Sequence, residues 1–78
     1  MRIEILGSGC PNCQRLEQHA REAIATTGVE AEVVKITDDA RIAGYGILST
    51  PGLVVDGTVV SYGRVPSADE IVTLLRQA

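Results

Sequence analysis

A chain of 78 residues allows a single domain, spanning residues 1–78, with only a small hydrophobic core. Its residues are 45% hydrophobic and 22% charged, which is typical of a globular protein and argues against a disordered chain. The net charge is −3 and the sequence has no basic run, so neither nucleic acid nor an anionic membrane surface is an expected partner.

The N-terminal third predicts a strand, a turn and a long helix. Residues 2–6 are apolar-rich and predict the strand, and residues 7–9, Gly-Ser-Gly, predict the turn. From Pro11 to about Thr27, apolar side chains recur at three- and four-residue spacing, which indicates an amphipathic helix. Pro11 suits the first helical turn, where its missing N–H is not needed, and Gly28 suits the position just after the helix.

The rest of the chain predicts three strands and two helices, namely strands over residues 30–36, 53–55 and 58–61, a short helix from Asp38 or Asp39 to about Ala43, and a final helix through Leu75. Asp56-Gly57 lies between two apolar runs, and a two-residue Asp-Gly loop in that context is a strong hairpin signal. Ser67 and Glu70 have the spacing of a capping box at the start of the final helix.

The element order is therefore β-α-β-α-β-β-α, which is an α/β arrangement. A strand, a helix and a second strand in succession imply a parallel pair joined by a right-handed crossover. With the hairpin added, we expect one four-stranded mixed sheet with helices on both faces.

The only two cysteines, Cys10 and Cys13, lie where the first strand gives way to the long helix. A helix N-terminus carries partial positive charge and free N–H groups, so it stabilises a thiolate. A second thiol three residues further on can reach the first and close a disulfide. The carboxyl end of a strand is also where open α/β sheets place their chemistry. Within a βαβ pattern, this spacing indicates a cytosolic redox motif.

This element order, with Cys-x-x-Cys at that place, resembles the thioredoxin fold in its minimal, glutaredoxin-sized form. The resemblance covers nearly the whole chain and is strongest to the very small thioredoxin-like "redox-active disulfide" proteins of prokaryotes. Thr50 and Pro51, just before residues 53–55, resemble the cis-proline element that faces the cysteine pair in this family. Residues 45–47, Tyr-Gly-Ile, resemble the stretch that precedes that element. The chain departs from thioredoxins in having Gly9 where they carry Trp.

The resemblance implies different roles for the two cysteines. Cys10 would be the exposed nucleophile, whose thiolate attacks a substrate disulfide and forms a mixed disulfide. Cys13 shares the apolar face of the helix with Leu16 and Ala20, so it should be more buried. It would act as the resolving thiol, which attacks the mixed disulfide and releases the reduced substrate.

The same resemblance assigns substrate binding to the surroundings of the cysteines. A cis Thr50–Pro51 bond would place the Thr50 N–H and C=O beside the sulfurs, ready to pair with an extended substrate chain. Pro11 and Asn12, between the cysteines, are also expected to contact the substrate. A trans proline in an ordinary turn is the alternative, since only about 5–6% of X–Pro bonds in folded proteins are cis.

Glu4 and Lys35 resemble an acid–lysine pair that moves the proton of the resolving cysteine in thioredoxins. Glu4 lies six residues before Cys10, which is the spacing of the buried carboxylate in that family, and Lys35 lies in the second predicted strand. An acid near Cys13 would make a suitable proton acceptor. The alternative is that both are solvated charges on the wet face of a short sheet.

Together these features predict a small thiol–disulfide oxidoreductase that reduces protein disulfides by cycling Cys10 and Cys13 between dithiol and disulfide. It would need no bound cofactor and no metal, and its electrons would come from a thioredoxin-reductase-like flavoprotein or another thiol donor. No apolar stretch approaches the roughly 20 residues of a membrane span, and the N-terminus lacks the apolar region of a signal peptide. The expected location is therefore the cytoplasm.

Two other functions remain open from the sequence. One is a metal carrier, because two thiolates suit Cu(I), and a dimer would supply the four ligands that structural zinc needs. The other is an interaction module with the same fold and no catalysis. Metal content after purification distinguishes the first alternative, and replacement of Cys10 without loss of partner binding distinguishes the second.

Overall fold

The structure, a computed structural model, describes residues 1–77. Its elements in chain order are β1 (Arg2–Leu6), α1 (Pro11–Thr27), β2 (Glu32–Ile36), α2 (Asp39–Ala43), β3 (Gly52–Val55), β4 (Thr58–Tyr62) and α3 (Ala68–Gln77). The four strands form one sheet in the order β2-β1-β3-β4. Because β1 pairs parallel with β2 and antiparallel with β3, and β3 pairs antiparallel with β4, the sheet is mixed, as predicted.

The two faces of the sheet carry separate cores, because side chains alternate along each strand. On one face, Ile3 and Ile5 of β1 pack with α1 and α3 in a cluster whose buried members include Leu16 and Ile71. On the other face, a smaller cluster forms around α2, with buried members Leu6, Ile36, Ile42 and Val54. Helices therefore cover both faces, and the sequence-based prediction of the fold class is confirmed.

Local sequence signals set the ends of the two longer helices. Gly28 follows α1 in the left-handed conformation, with φ of 71°, and its N–H donates to the Ile24 carbonyl at 2.9 Å. At the start of α3, the Ser67 hydroxyl accepts from the Glu70 N–H at 3.1 Å, and the Glu70 carboxylate accepts from the Ser67 N–H at 3.3 Å. The capping box and the glycine stop are both confirmed.

The hairpin between β3 and β4 turns at Asp56 and Gly57, with φ of 48° and 85°. Positive φ at both central residues is the requirement of the tight turn that Asp-Gly favours. The turn is also attached to β1, because the Asp56 carboxylate accepts from the Arg2 N–H and the Arg2 carbonyl accepts from the Asp56 N–H, each at 2.8 Å. The predicted hairpin is therefore confirmed.

The second strand begins at Glu32 and not at residue 30, where the sequence pattern predicts its start. Its ladder begins with the pair Arg2 and Glu32, because β1 itself begins at Arg2. Before that pair, the Met1 ammonium donates to the Glu30 carbonyl at 3.3 Å, and the Met1 carbonyl accepts from the Glu32 N–H at 2.9 Å. The predicted strand thus starts before the first residue that β1 can pair with.

Candidate active site

The two cysteines lie at the junction of β1 and α1, joined in a disulfide with Cα atoms 5.0 Å apart. Cys10 is the N-cap of α1, with extended backbone angles, and its Sγ accepts a hydrogen bond from the Cys13 N–H at 3.1 Å. Cys10 thus satisfies one of the free N–H groups at the start of the helix, as a capping Ser or Asp does. When the disulfide is reduced, this position favours negative charge on the Cys10 sulfur.

The charge distribution around Cys10 reinforces that preference. The first turn of this 17-residue helix contains no acidic residue, so no carboxylate of that turn opposes a thiolate at Cys10. Pro11 and Asn12 occupy the turn and are exposed. A helix N-terminus of this kind lowers the pKa of a cysteine thiol, which increases the fraction of the reactive thiolate near neutral pH.

The two sulfurs differ in exposure, as the helix periodicity predicts. Cys10 is half-buried, whereas Cys13 is 5% exposed and faces the sheet. A Cβ atom at position 7 would overlap the Cys13 Sγ, so the missing side chain of Gly7 makes the room in which that sulfur lies. The sequence suggests only a flexible turn at this glycine, but the structure shows that it also accommodates the buried cysteine.

The Thr50–Pro51 peptide bond is cis, and it belongs to the same site. A Cβ atom at position 7 would contact both the Cys13 side chain and the Thr50 Cβ, which would lie 3.9 Å from it. Pro51 is buried and Thr50 is exposed, while the Pro51 carbonyl accepts from the Gly63 N–H at 2.9 Å just after β4. The fold therefore brings Thr50 next to the cysteines from about 40 residues away in the chain.

Glu4 is buried, with 7% of its surface exposed, and has two hydrogen-bond donors. Arg2 Nε donates to one carboxylate oxygen at 2.9 Å, and the Tyr45 hydroxyl donates to the other. The hydrogen bond to Glu4 raises the pKa of Tyr45, with smaller contributions from desolvation and from the Glu4 charge. The resemblance of residues 45–47 to a family stretch does not predict this hydrogen bond between Tyr45 and β1.

Lys35 is exposed and contacts a different carboxylate from the one that the sequence suggests. Its Nζ lies 3.3 Å from Glu17 Oε1 on α1, on the face of the sheet that carries Cys13. The structure does not bring Glu4 and Lys35 together. A role for either residue in proton transfer remains a prediction.

The largest of the grooves described here lies away from the cysteines, between β4 and α3. A groove of about 540 Å³ between β4 and α3 is lined by residues that include Tyr62 and Glu70 but by neither cysteine.

Among residues 1–77, no three His, Cys, Asp or Glu side chains form a group that could hold a metal ion. Within the same residues, no helix is both long enough and apolar enough to cross a bilayer.

Comparison with known proteins agrees with the geometry. A family model described as "Thioredoxin domain" matches residues 1–76. The chain is 47% identical to a thioredoxin of Methanothermobacter thermautotrophicus over 75 residues, which cover 96% of this chain and 97% of that protein. It is 39% identical to a thioredoxin of Methanocaldococcus jannaschii over 69 residues, which cover 88% of this chain and 79% of that protein.

Proposed function

We propose that this chain, which belongs to the thioredoxin family of thiol–disulfide oxidoreductases, reduces disulfide bonds of other proteins. One observation carries the proposal. Cys10 caps the positive end of a long helix and is partly accessible, while Cys13 lies buried within disulfide distance of it. An accessible, electrostatically favoured sulfur beside a protected one is the arrangement that sequential thiol–disulfide exchange needs.

The first step is attack by the Cys10 thiolate on a sulfur of the client disulfide. A bond forms between Cys10 and that client sulfur, and the client S–S bond breaks. The second client sulfur leaves as a thiolate and takes up a proton from water. Cys10 is suited to this step because the N-terminus of α1 stabilises its thiolate.

The second step is attack by Cys13 on the Cys10 sulfur of the mixed disulfide. The Cys10–Cys13 bond forms, the bond to the client breaks, and the client leaves fully reduced. Two electrons have then passed from the protein dithiol to the client, and the protein holds the disulfide seen in the structure. Burial of Cys13 keeps it from reacting with clients directly, so it acts after Cys10.

Client binding uses the exposed surface around the two sulfurs. Thr50 borders the Cys13 side of the site, and its backbone would pair with an extended segment of the client as an added strand does. Pro11 and Asn12 are exposed beside Cys10 and would contact the same segment. Such pairing would align the client sulfur with Cys10 without requiring a particular client sequence.

Regeneration requires two electrons from outside the chain. A thioredoxin-reductase-like flavoprotein or another thiol donor would supply them by attack on the Cys10–Cys13 disulfide. The cytoplasm, where such donors keep thiols reduced, is therefore the location that we propose.

The proposal is tested by trapping the intermediate and by measuring the redox couple. In Cys13→Ser, Cys10 should form a mixed disulfide with a disulfide-containing protein such as insulin, and the adduct should persist on a non-reducing gel. In Cys10→Ser, no adduct should form. The metal-free wild-type protein, titrated in dithiothreitol redox buffers, should lose both thiols reversibly in one two-electron step between roughly −120 and −300 mV.

Other results would overturn the proposal. Thiols that pair only between molecules would exclude an intramolecular couple. Stoichiometric copper or zinc retained through purification, together with no trapped adduct, would favour the metal carrier. An adduct formed equally well by Cys10→Ser would show that Cys10 is not the nucleophile.

A further inference from the structure

A cavity of about 150 Å³ lies beside Cys13, and charged side chains from two elements line it. Glu17 reaches it from α1, one helical turn after Cys13, and Lys35 reaches it from β2. Residues four apart on a helix have Cβ atoms about 5–6 Å from each other. One negatively charged and one positively charged side chain therefore line the same cavity as the buried Cys13.

The two charges are held in place by ion pairs. Glu17 Oε1 lies 3.3 Å from Lys35 Nζ, and Glu17 Oε2 lies 2.9 Å from Arg21 Nη2. The Glu17 side chain is only 17% exposed. Its hydrogen bond with Arg21, and then its contact with Lys35, hold the pKa of the Glu17 carboxyl below the usual value, although partial burial opposes them. Glu17 is therefore an anion throughout the neutral range.

No other charge lines this cavity within the described residues. Its remaining lining consists of Ile5, Gln14, Thr37 and glycines from the turn before Cys10, all uncharged. Arg21 pairs with Glu17 but does not line the cavity. Glu4 belongs to the opposite face of the sheet, where it contacts Tyr45. The charged side chains that line the cavity beside Cys13 are thus one carboxylate and one ammonium group, in addition to the positive end of α1 and the Cys10 sulfur that all variants share.

We propose that Glu17 and Lys35 are positioning residues that set the ionisation of the Cys13 thiol in opposite directions, and with it the rate of the resolving step. The inference rests on the proposed function, in which Cys13 resolves the mixed disulfide. A nearby carboxylate disfavours a thiolate and a nearby ammonium group favours it. Glu17 keeps Cys13 protonated while Cys10 attacks the client. Lys35 limits this effect, so that Cys13 can still ionise for its attack on the mixed disulfide.

Glu17 does not accept the Cys13 proton in the resolving step. Cys13 gives its proton to water, its thiolate bonds to Cys10 Sγ, and the bond between Cys10 and the client breaks as the client leaves as a thiolate. Glu17 is a poor acceptor for that proton, because its carboxyl has a pKa below 4.5 and a free thiol has one near 8.5. Its influence on the step comes from its charge, so the uncharged amide of Gln should remove that influence.

The test measures the pH profile of the resolving step in variants of the full chain. Reduced protein is mixed with 5,5′-dithiobis(2-nitrobenzoate), which releases one coloured thiolate when Cys10 attacks and a second when Cys13 resolves the adduct. Glu17→Gln should move the midpoint of the second release to lower pH by about half to one unit, and Lys35→Met should move it to higher pH by a similar amount. Below the midpoint, one full unit corresponds to roughly threefold in rate, because tenfold more thiolate is offset by its lower nucleophilicity.

Matched variants distinguish charge from packing. Glu17→Asp and Lys35→Arg keep the charges and should retain the wild-type midpoint. Glu22→Gln removes the same charge from an exposed position about two and a half turns beyond Cys13 on α1 and should also leave the midpoint unchanged. Urea unfolding of each variant shows that it is folded under the conditions of the kinetic measurement.

Three outcomes would overturn the inference. Midpoints that do not move in either variant would show that the pair does not act on Cys13. Midpoints that move in the same direction would indicate altered packing, and a resolving step slowed equally by both substitutions at every pH would indicate proton relay. A wild-type protein that never releases the second thiolate would instead refute the proposed function itself, so the two failures are distinguishable.

Discussion

Glu4 and Lys35 lie on opposite faces of the sheet, although their strands are neighbours. In the parallel register Glu4 pairs with Val34 and Lys35 pairs with Ile5, and paired residues point to the same side. Glu4 therefore faces α2 and Tyr45, whereas Lys35 faces α1 and Glu17. The charge that accompanies Lys35 near Cys13 comes from a helix and not from the neighbouring strand.

The hydrogen bond from Tyr45 to Glu4 should stabilise the fold. Tyr45→Phe removes one of two donors from a buried carboxylate, and a buried acceptor that loses its partner is costly. We expect a clear decrease in the urea midpoint of unfolding. Tyr62→Phe is the matched control, since Tyr62 is 49% exposed, and it should change the midpoint several times less. Equal shifts in the two variants would show that the contact with Glu4 adds nothing.

The same contact predicts how stability changes at alkaline pH. The pKa of Tyr45 is raised in the folded protein, so the neutral phenol is favoured by folding. This stabilisation is present in full below the ordinary tyrosine value of 10.0, and it is lost as pH rises from there through the raised value. The difference in unfolding midpoint between wild type and Tyr45→Phe should therefore be constant near neutral pH and shrink above pH 10. A difference that grows with pH would contradict the assignment.

A side chain at position 7 should destabilise the protein. A methyl group at this position would overlap the Cys13 sulfur, so Gly7→Ala must displace either the helix start or the strand end. Overpacking of this kind costs roughly 1–3 kcal/mol of stability. We also expect slower closure of the Cys10–Cys13 disulfide, measured by alkylation and mass after addition of oxidant. Ser8→Ala, at the exposed neighbouring position, is the control and should behave as wild type.

Much of the fold is predictable because its signals are local. The Asp56-Gly57 turn, the Ser67 capping box and the Gly28 stop each depend on a few adjacent residues and on general backbone preferences. The position of the cysteines at a helix start follows from the same kind of signal. These features indicate the element order, and the element order limits the sheet to very few arrangements.

The surroundings of Cys13 are less predictable, because they depend on which residues of separate elements face each other. The register of β1 and β2 decides that Lys35 and not Glu4 lies on the cysteine face, and a shift of one residue would reverse this. The position of Glu17, one turn after Cys13, is visible in the sequence and could have indicated a carboxylate near the sulfur. Its contact with Lys35 could not be read from the helix alone.

The short separation of Cys10 and Cys13 has a consequence for the scaffold as a whole. A disulfide between residues three apart closes a very small loop, so it constrains the unfolded chain less than the 15-residue loop for which about 3 kcal/mol is expected. The sheet and its two cores are held by contacts that do not include this bond. We therefore expect the protein to gain and lose its single cross-link in every turnover with little change in the rest of the fold.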